Sequence, residues 1–134
     1  MENRIFLGGT CNESVWREKL IQLIQVDFFN PVVEDWTPNC QENETYEKEN
    51  KCNIHLYVIT SAMTGVFSIA EVVDSVHNKN VRTILQVIPD GFTEGQTKSL
   101  KAVVDLVNRR GGIACVDESI NRTARIINNC FMEF

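Results

Sequence analysis

At 134 residues, 43% of them hydrophobic, the chain is long enough to bury a core without help from metal or disulfides. Its 13 basic and 18 acidic residues leave a net charge of −5. That balance excludes sequence-blind binding to a nucleic-acid polymer, which needs clustered Lys and Arg. No apolar run approaches the roughly 20 residues that cross a bilayer, and the opening Met-Glu-Asn-Arg has no export-signal character. A cytoplasmic protein with no membrane partner is expected. The five cysteines (Cys11, Cys40, Cys52, Cys115, Cys130) are odd in number and form no CxxC pair, so free thiols are expected.

In chain order, Arg4 to Gly9 reads as a strand ending in a glycine turn. Residues 13–25 read as a helix with Trp16, Leu20, Leu23 and Ile24 on one face. Residues 26–30 are a short strand stopped by Pro31. Residues 33–40 read as a loop and 41–51 as a solvated helix with little core contact, the most mobile stretch of the chain. The nearly continuous apolar run 54–59 fits a strand covered on both faces. Residues 65–78 read as a helix with Val66, Ile69, Ala70 and Val73 inward. A strand at 81–88 follows, then a helix near 95–110 opened by the capping box Thr93-Glu94-Gly95-Gln96. Leu100, Val103, Val104 and Val107 form its inner stripe. A fifth strand spans 113–116, and a last helix turns Ile120, Ala124, Ile127 and Phe131 inward.

Five alternations of strand and helix predict a flavodoxin-like or Rossmann-like α/β three-layer sandwich. Its sheet is five-stranded and parallel, in the order 2-1-3-4-5, and residues 1–134 are expected to form one domain. Ligands of such sheets bind beyond the carboxyl ends of the strands, where strand order reverses. Three loops meet that condition: Gly8 to Asn12, Asn30 to Asn39 and Thr60 to Gly65. Gly8-Gly9-Thr10 permits close backbone approach to a ligand. Cys11 beside it is read as a small pocket-lining residue rather than a nucleophile. Asp35 and Trp36 offer a hydrogen bond and a stacking surface to a flat base. Glu71 lies in the second turn of the 65–78 helix, beside Ser68 and Ser75 on the wheel, and would face the crevice. Asp74 is one turn deeper. His55 and His77 lack His or Cys partners at ligand spacing, so no metal and no cofactor are expected.

Three stretches together resemble the nucleoside 2-deoxyribosyltransferase-like family. They are Ile5-Phe6-Leu7-Gly8-Gly9, then Phe29-Asn30-Pro31 with Asp35-Trp36, then Thr64-Gly65-Val66-Phe67-Ser68-Ile69-Ala70-Glu71. The likeness covers about residues 4 to 90. It implies that Glu71 is the nucleophile and that Asp35 contacts and protonates the base. It also implies that Gly8, Gly9, Thr10, Asn30, Trp36, Thr64, Gly65 and Ser68 line the substrate pocket. At one position this chain departs from the pattern. The transferases carry an acidic residue six positions before the nucleophile, and the related monophosphate glycosidases a serine, where this chain has Gly65. Ser61, Thr64 and Ser68 are the substitutes at hand.

The activity implied is cleavage or transfer at the N-glycosidic bond of a deoxynucleoside or deoxynucleotide, in a homo-oligomer whose apolar tail, Phe131 to Phe134, or whose 39–51 segment lies at the interface. A nucleotide-binding module without turnover and a TIR-like glycohydrolase relative are the alternative readings.

Overall fold

Strands and helices alternate strictly along the chain, which the computed structural model describes over residues 3–11, 15–32 and 37–129. The order is β1 (Arg4–Gly9), α1 (Trp16–Ile21), β2 (Asp27–Phe29), α2 (Pro38–Asn50), β3 (Ile54–Ile59), α3 (Phe67–His77), β4 (Arg82–Val87), α4 (Glu94–Arg109), β5 (Ile113–Val116) and α5 (Ile120–Asn129). All pairings are parallel and the sheet order is β2-β1-β3-β4-β5, as the alternation predicts. Helices flank both faces, so the arrangement is the α/β three-layer Rossmann-like or flavodoxin-like one. Among the described residues no helix is long and apolar enough to cross a membrane.

Side chains alternate across a strand, so the sheet feeds two cores. Ile5, Leu7, Ile54, Leu56, Val58 and Ile84 point to one face and meet Trp16 and Leu20 of α1 and Ile120, Ala124 and Ile127 of α5. Phe6, Tyr57, Ile59, Leu85 and Val87 point to the other and meet Val72 and Val76 of α3 and Leu100, Val104 and Val107 of α4. Every residue of β3 is buried, as expected of a central strand covered on both faces.

Several boundaries and one helix face differ from the sequence reading. Helix α1 ends at Ile21, because the Leu20 carbonyl takes both Leu23 N and Ile24 N at 2.9 and 3.1 Å and closes the last turn. Asn128 of α5 then takes the next backbone groups, accepting from Gln25 N and donating to the Leu23 carbonyl. Helix α2 begins three residues before 41, with Pro38 at its first position, where a missing N–H costs nothing. Of the expected stripe Val66, Ile69, Ala70 and Val73, only Ile69 and Val73 pack against the core, and both are only partly buried. The buried residues are Val72, Ser75 and Val76, while Val66 is 74% exposed. A purely apolar count misplaced this face because Ser75, a polar residue, is turned inward and satisfied there. The capping box of α4 is complete: Gln96 N donates to Thr93 Oγ1 at 3.1 Å and Thr93 N to Gln96 Oε1 at 2.9 Å. Such caps contribute about 1 kcal/mol.

The turn after β1 presses directly on β3. Gly9 has φ +108°, and a Cβ there would lie 2.1 Å from the Val58 carbonyl oxygen. A Cβ on Gly8 would meet the Tyr57 ring at 2.8 Å. Gly9→Ala is therefore expected to cost more than about 3 kcal/mol, since a backbone clash adds to left-handed strain. Urea unfolding checks this; a midpoint unchanged from wild type would contradict the close approach.

Candidate active site

Beyond the carboxyl ends of β1 and β3, at the point where strand order reverses, lies a cavity of about 210 Å³. Its lining includes Gly8, Gly9, Thr10, Thr64, Gly65, Ser68 and Glu71, seven of the residues singled out in the sequence. Asn30 is not among them. Its side chain accepts from Val32 N at 3.1 Å in a local turn, and the neighbouring Pro31 faces the cavity instead. Asp35 and Trp36 lie outside the described residues, as does the tail from Phe131 to Phe134. Cys11 lines the cavity, in keeping with its reading as a pocket residue.

The floor is the β1 turn, held by a polar lattice. Thr10 N donates to the Val58 carbonyl at 2.9 Å, and Thr10 Oγ1 accepts from Thr60 N at 3.0 Å, tying the β1 and β3 turns together. The Thr10 hydroxyl is thus a brace as well as a wall. Arg17 lies below the turn, almost wholly buried. It donates to the Leu7 carbonyl at 3.0 Å, the Thr10 carbonyl at 2.7 Å and the Gly9 carbonyl at 3.3 Å, and it stacks on Trp16. Burial pulls its pKa down, opposed by Cys11 and Glu44. The sequence reading gave Arg17 no role; its place is to satisfy carbonyls that the tight turn leaves without partners.

Glu71 stands on α3 above this floor. Its side chain is 13% exposed, and its Oε2 accepts from Lys48 Nζ at 2.9 Å. Lys48 comes from α2, as does Glu44, which lines the same cavity. Glu44 and Lys48 are four residues apart with the acid first, the favourable order on a helix. The Glu44 carboxyl is raised above its ordinary 4.5, mainly by burial and next by the charge of Glu71, with Lys48 and Arg17 opposing. The site therefore combines two carboxylates: Glu71, paired with an ammonium, and Glu44, whose carboxyl burial raises above its ordinary value.

None of the buried residues of the domain lies on α2, so its reading as a polar helix stands. Its reading as merely solvated does not, because Glu44, Glu47 and Lys48 are turned toward the body of the domain. Glu47 pairs with Arg4, which also meets Asp27 at 3.2 Å. The Glu44-x-x-x-Lys48 spacing was the available signal for this face. Phe67, at the first position of α3, lines the cavity while 69% exposed. It is an aromatic surface at the lip, hidden in the sequence by its place among apolar neighbours. Among the described residues no group of three or more His, Cys, Asp or Glu could hold a metal ion.

A family profile settles the kinship of a chain with this site. Residues 2–100 match the family described as Nucleoside 2-deoxyribosyltransferase like. The chain belongs to that family. No curated protein matches it. The match runs from β1 into α4 and contains every described residue that lines the cavity, so the deoxyribosyltransferase-like part of the chain holds the candidate site.

Proposed function

We propose that this chain cleaves the N-glycosidic bond of a 2′-deoxynucleoside or deoxynucleotide and passes the sugar to a second base or to water, with Glu71 as nucleophile. The observation that carries the reading is Glu71 itself: a carboxylate in a cavity at the topological switch point, with one oxygen paired to Lys48. In the first step a Glu71 oxygen attacks C1′ as the C1′–N bond breaks, and the bond electrons leave with the base. The transition state is oxocarbenium-like, and the carboxylate stabilises it before closing the glycosyl ester. The base accepts a proton at a ring nitrogen as it departs. Asp35 is one donor for that proton, through the family resemblance. Glu44, with its raised pKa and its place in the cavity, is a second. In the second step an incoming base, or water, attacks C1′, the ester opens and the proton returns. These steps use only side chains, a nucleoside-type small molecule and water. Phe67 offers its ring to the flat base in the manner the sequence suggests for Trp36.

We also propose that residues 1–134 form one domain and that the chain works as a homo-oligomer. A glycosyl ester in an open cavity hydrolyses, so transfer needs a cover. Val66, Phe67 and Ala70, exposed beside the cavity lip, are the surface a second copy would cover. Light scattering at micromolar concentration is expected to show at least a dimer. A monomer with full transfer activity would contradict this.

The test of function is incubation with a deoxynucleoside and a foreign free base, followed by chromatography. A new nucleoside establishes transfer, and free sugar with free base establishes hydrolysis. Tight binding with no product overturns the proposal in favour of a binding module.

A further inference from the structure

Helix α2 supplies Glu44 and Lys48 yet contributes no buried side chain, so apolar packing does not explain how it is held. Its last carbonyls also need partners, as at any helix end. The Glu47 carbonyl takes Lys51 N and Cys52 N at 3.0 and 3.1 Å. The Lys48 carbonyl is met by a residue from another element: His55 Nε2, on the central strand β3, at 2.9 Å.

His55 is buried, and its other nitrogen, Nδ1, lies 2.9 Å from Ser75 Oγ of α3, which in turn lies 2.8 Å from Thr83 Oγ1 of β4. These contacts fix the direction of every hydrogen bond. A carbonyl only accepts, so Nε2 carries the hydrogen and donates to Lys48 O. In the neutral ring Nδ1 then accepts, so Ser75 donates to it and accepts from Thr83. Burial lowers the His55 pKa and favours this neutral form. The ring is edged by Phe6 and Tyr57, with ring centroids 6.0 and 6.5 Å away. Four elements thus converge to aim one N–H at the end of α2.

We propose that His55 is the positioning residue of this site: by holding the Lys48 carbonyl, its Nε2–H fixes the Glu44 and Lys48 face of α2 against Glu71. The inference rests on the reading of Glu44, Lys48 and Glu71 as the active site. Its central observable, the docking of α2, does not.

The experiment compares the full-length wild-type chain with His55→Asn, His55→Gln and Ser75→Ala by backbone hydrogen exchange, by nitrogen-15 spectra of the imidazole and by turnover. Gln can carry an N–H at the reach of Nε2, whereas Asn ends near Nδ1. In His55→Asn, α2 amides are expected to lose about tenfold in protection, the scale of one net hydrogen bond, while α4 amides keep theirs. Turnover should fall by a similar factor, mostly in kcat, and His55→Gln should restore both. The wild-type spectrum should show the Nε2–H tautomer, and Ser75→Ala should keep that tautomer, held by the Lys48 carbonyl, while shifting the Nδ1 resonance as the ring loses the hydroxyl that donates to it, an arm that stands even if His55→Asn does not fold. Unchanged α2 protection in His55→Asn, equal loss in α2 and α4, or an Nδ1–H tautomer in the wild type would overturn the inference. Loosening of α2 in a chain that shows no turnover on any deoxynucleoside would uphold the clamp and sink the proposed function instead.

Discussion

Replacing Glu71 with Gln is expected to lower turnover by at least about 10³-fold while the domain stays folded. The amide keeps the volume of the side chain, but it cannot form a glycosyl ester and carries no charge to meet an oxocarbenium-like centre. The structural cost should be small. Glu71 lies in a cavity wall rather than in either core, and Lys48, its partner, keeps Glu44 one turn away on α2. The pair is mostly buried, but the Gln amide oxygen can still accept from Lys48, so the cost should stay below the roughly 3 kcal/mol of a broken buried pair. Circular dichroism and urea unfolding verify the fold, and chromatography gives the rate. Wild-type-like turnover in folded Glu71→Gln would remove Glu71 from the mechanism.

Glu44→Gln is expected to separate substrates by their leaving groups. If Glu44 donates the proton to the departing base, nucleosides with poor leaving groups should lose about 10² to 10⁴ in rate, and those whose base leaves without a proton should lose little. The pH dependence follows from the same group. Glu44 is active while protonated, so wild-type turnover of poor leaving groups should fall as pH rises through a midpoint above 4.5, and Gln should abolish that limb. The group's contribution to stability should move the same way with pH. A carboxyl whose folded pKa is raised binds protons more tightly folded than unfolded. It thus favours the fold below its unfolded pKa and loses that contribution as pH rises through the folded value. At neutral pH the desolvated charge opposes folding, and Glu44→Gln should be neutral or stabilising. Equal rate losses for both kinds of leaving group would assign Glu44 to binding and leave the proton to Asp35.

What the sequence showed and what it hid divide along one physical line. Strands β1, β3 and β4 and helix α4 were legible because their apolar periods are unbroken and their ends carry strong signals, such as Gly8-Gly9 and the Thr93 capping box. The parallel sheet followed from the alternation, and the flavodoxin-like order chosen from the few topologies that right-handed crossovers allow located the crevice and seven of the residues in its wall. Polar burial was not legible. Ser75 faces inward because His55 and Thr83 satisfy it, which moves the centre of the buried face of α3 to Val72, Ser75 and Val76 and leaves Ile69 and Val73 at its flank. Helix α2 has no apolar stripe, so only the Glu44-x-x-x-Lys48 spacing, and no hydrophobic pattern, pointed to the face that enters the site. Arg17 is buried by three carbonyls rather than by a carboxylate, and carbonyl geometry is set only once the β1 turn is folded. Asn30 shows the same kind of limit: its side chain is spent on a local turn and does not appear in the described cavity wall.

The central claim is that Glu71 bonds to the sugar, and trapping that bond tests it most directly. A nucleoside with fluorine at C2′ slows both steps by destabilising positive charge at C1′, and a good leaving group restores the first step, so the ester accumulates. The chain is quenched in acid, digested and mapped by mass spectrometry. The account predicts one added fluoro-sugar on the peptide that contains Glu71, absent from Glu71→Gln and lost when free base is added before the quench. A trapped sugar on any other residue, or continued turnover with no adduct under these conditions, would contradict it.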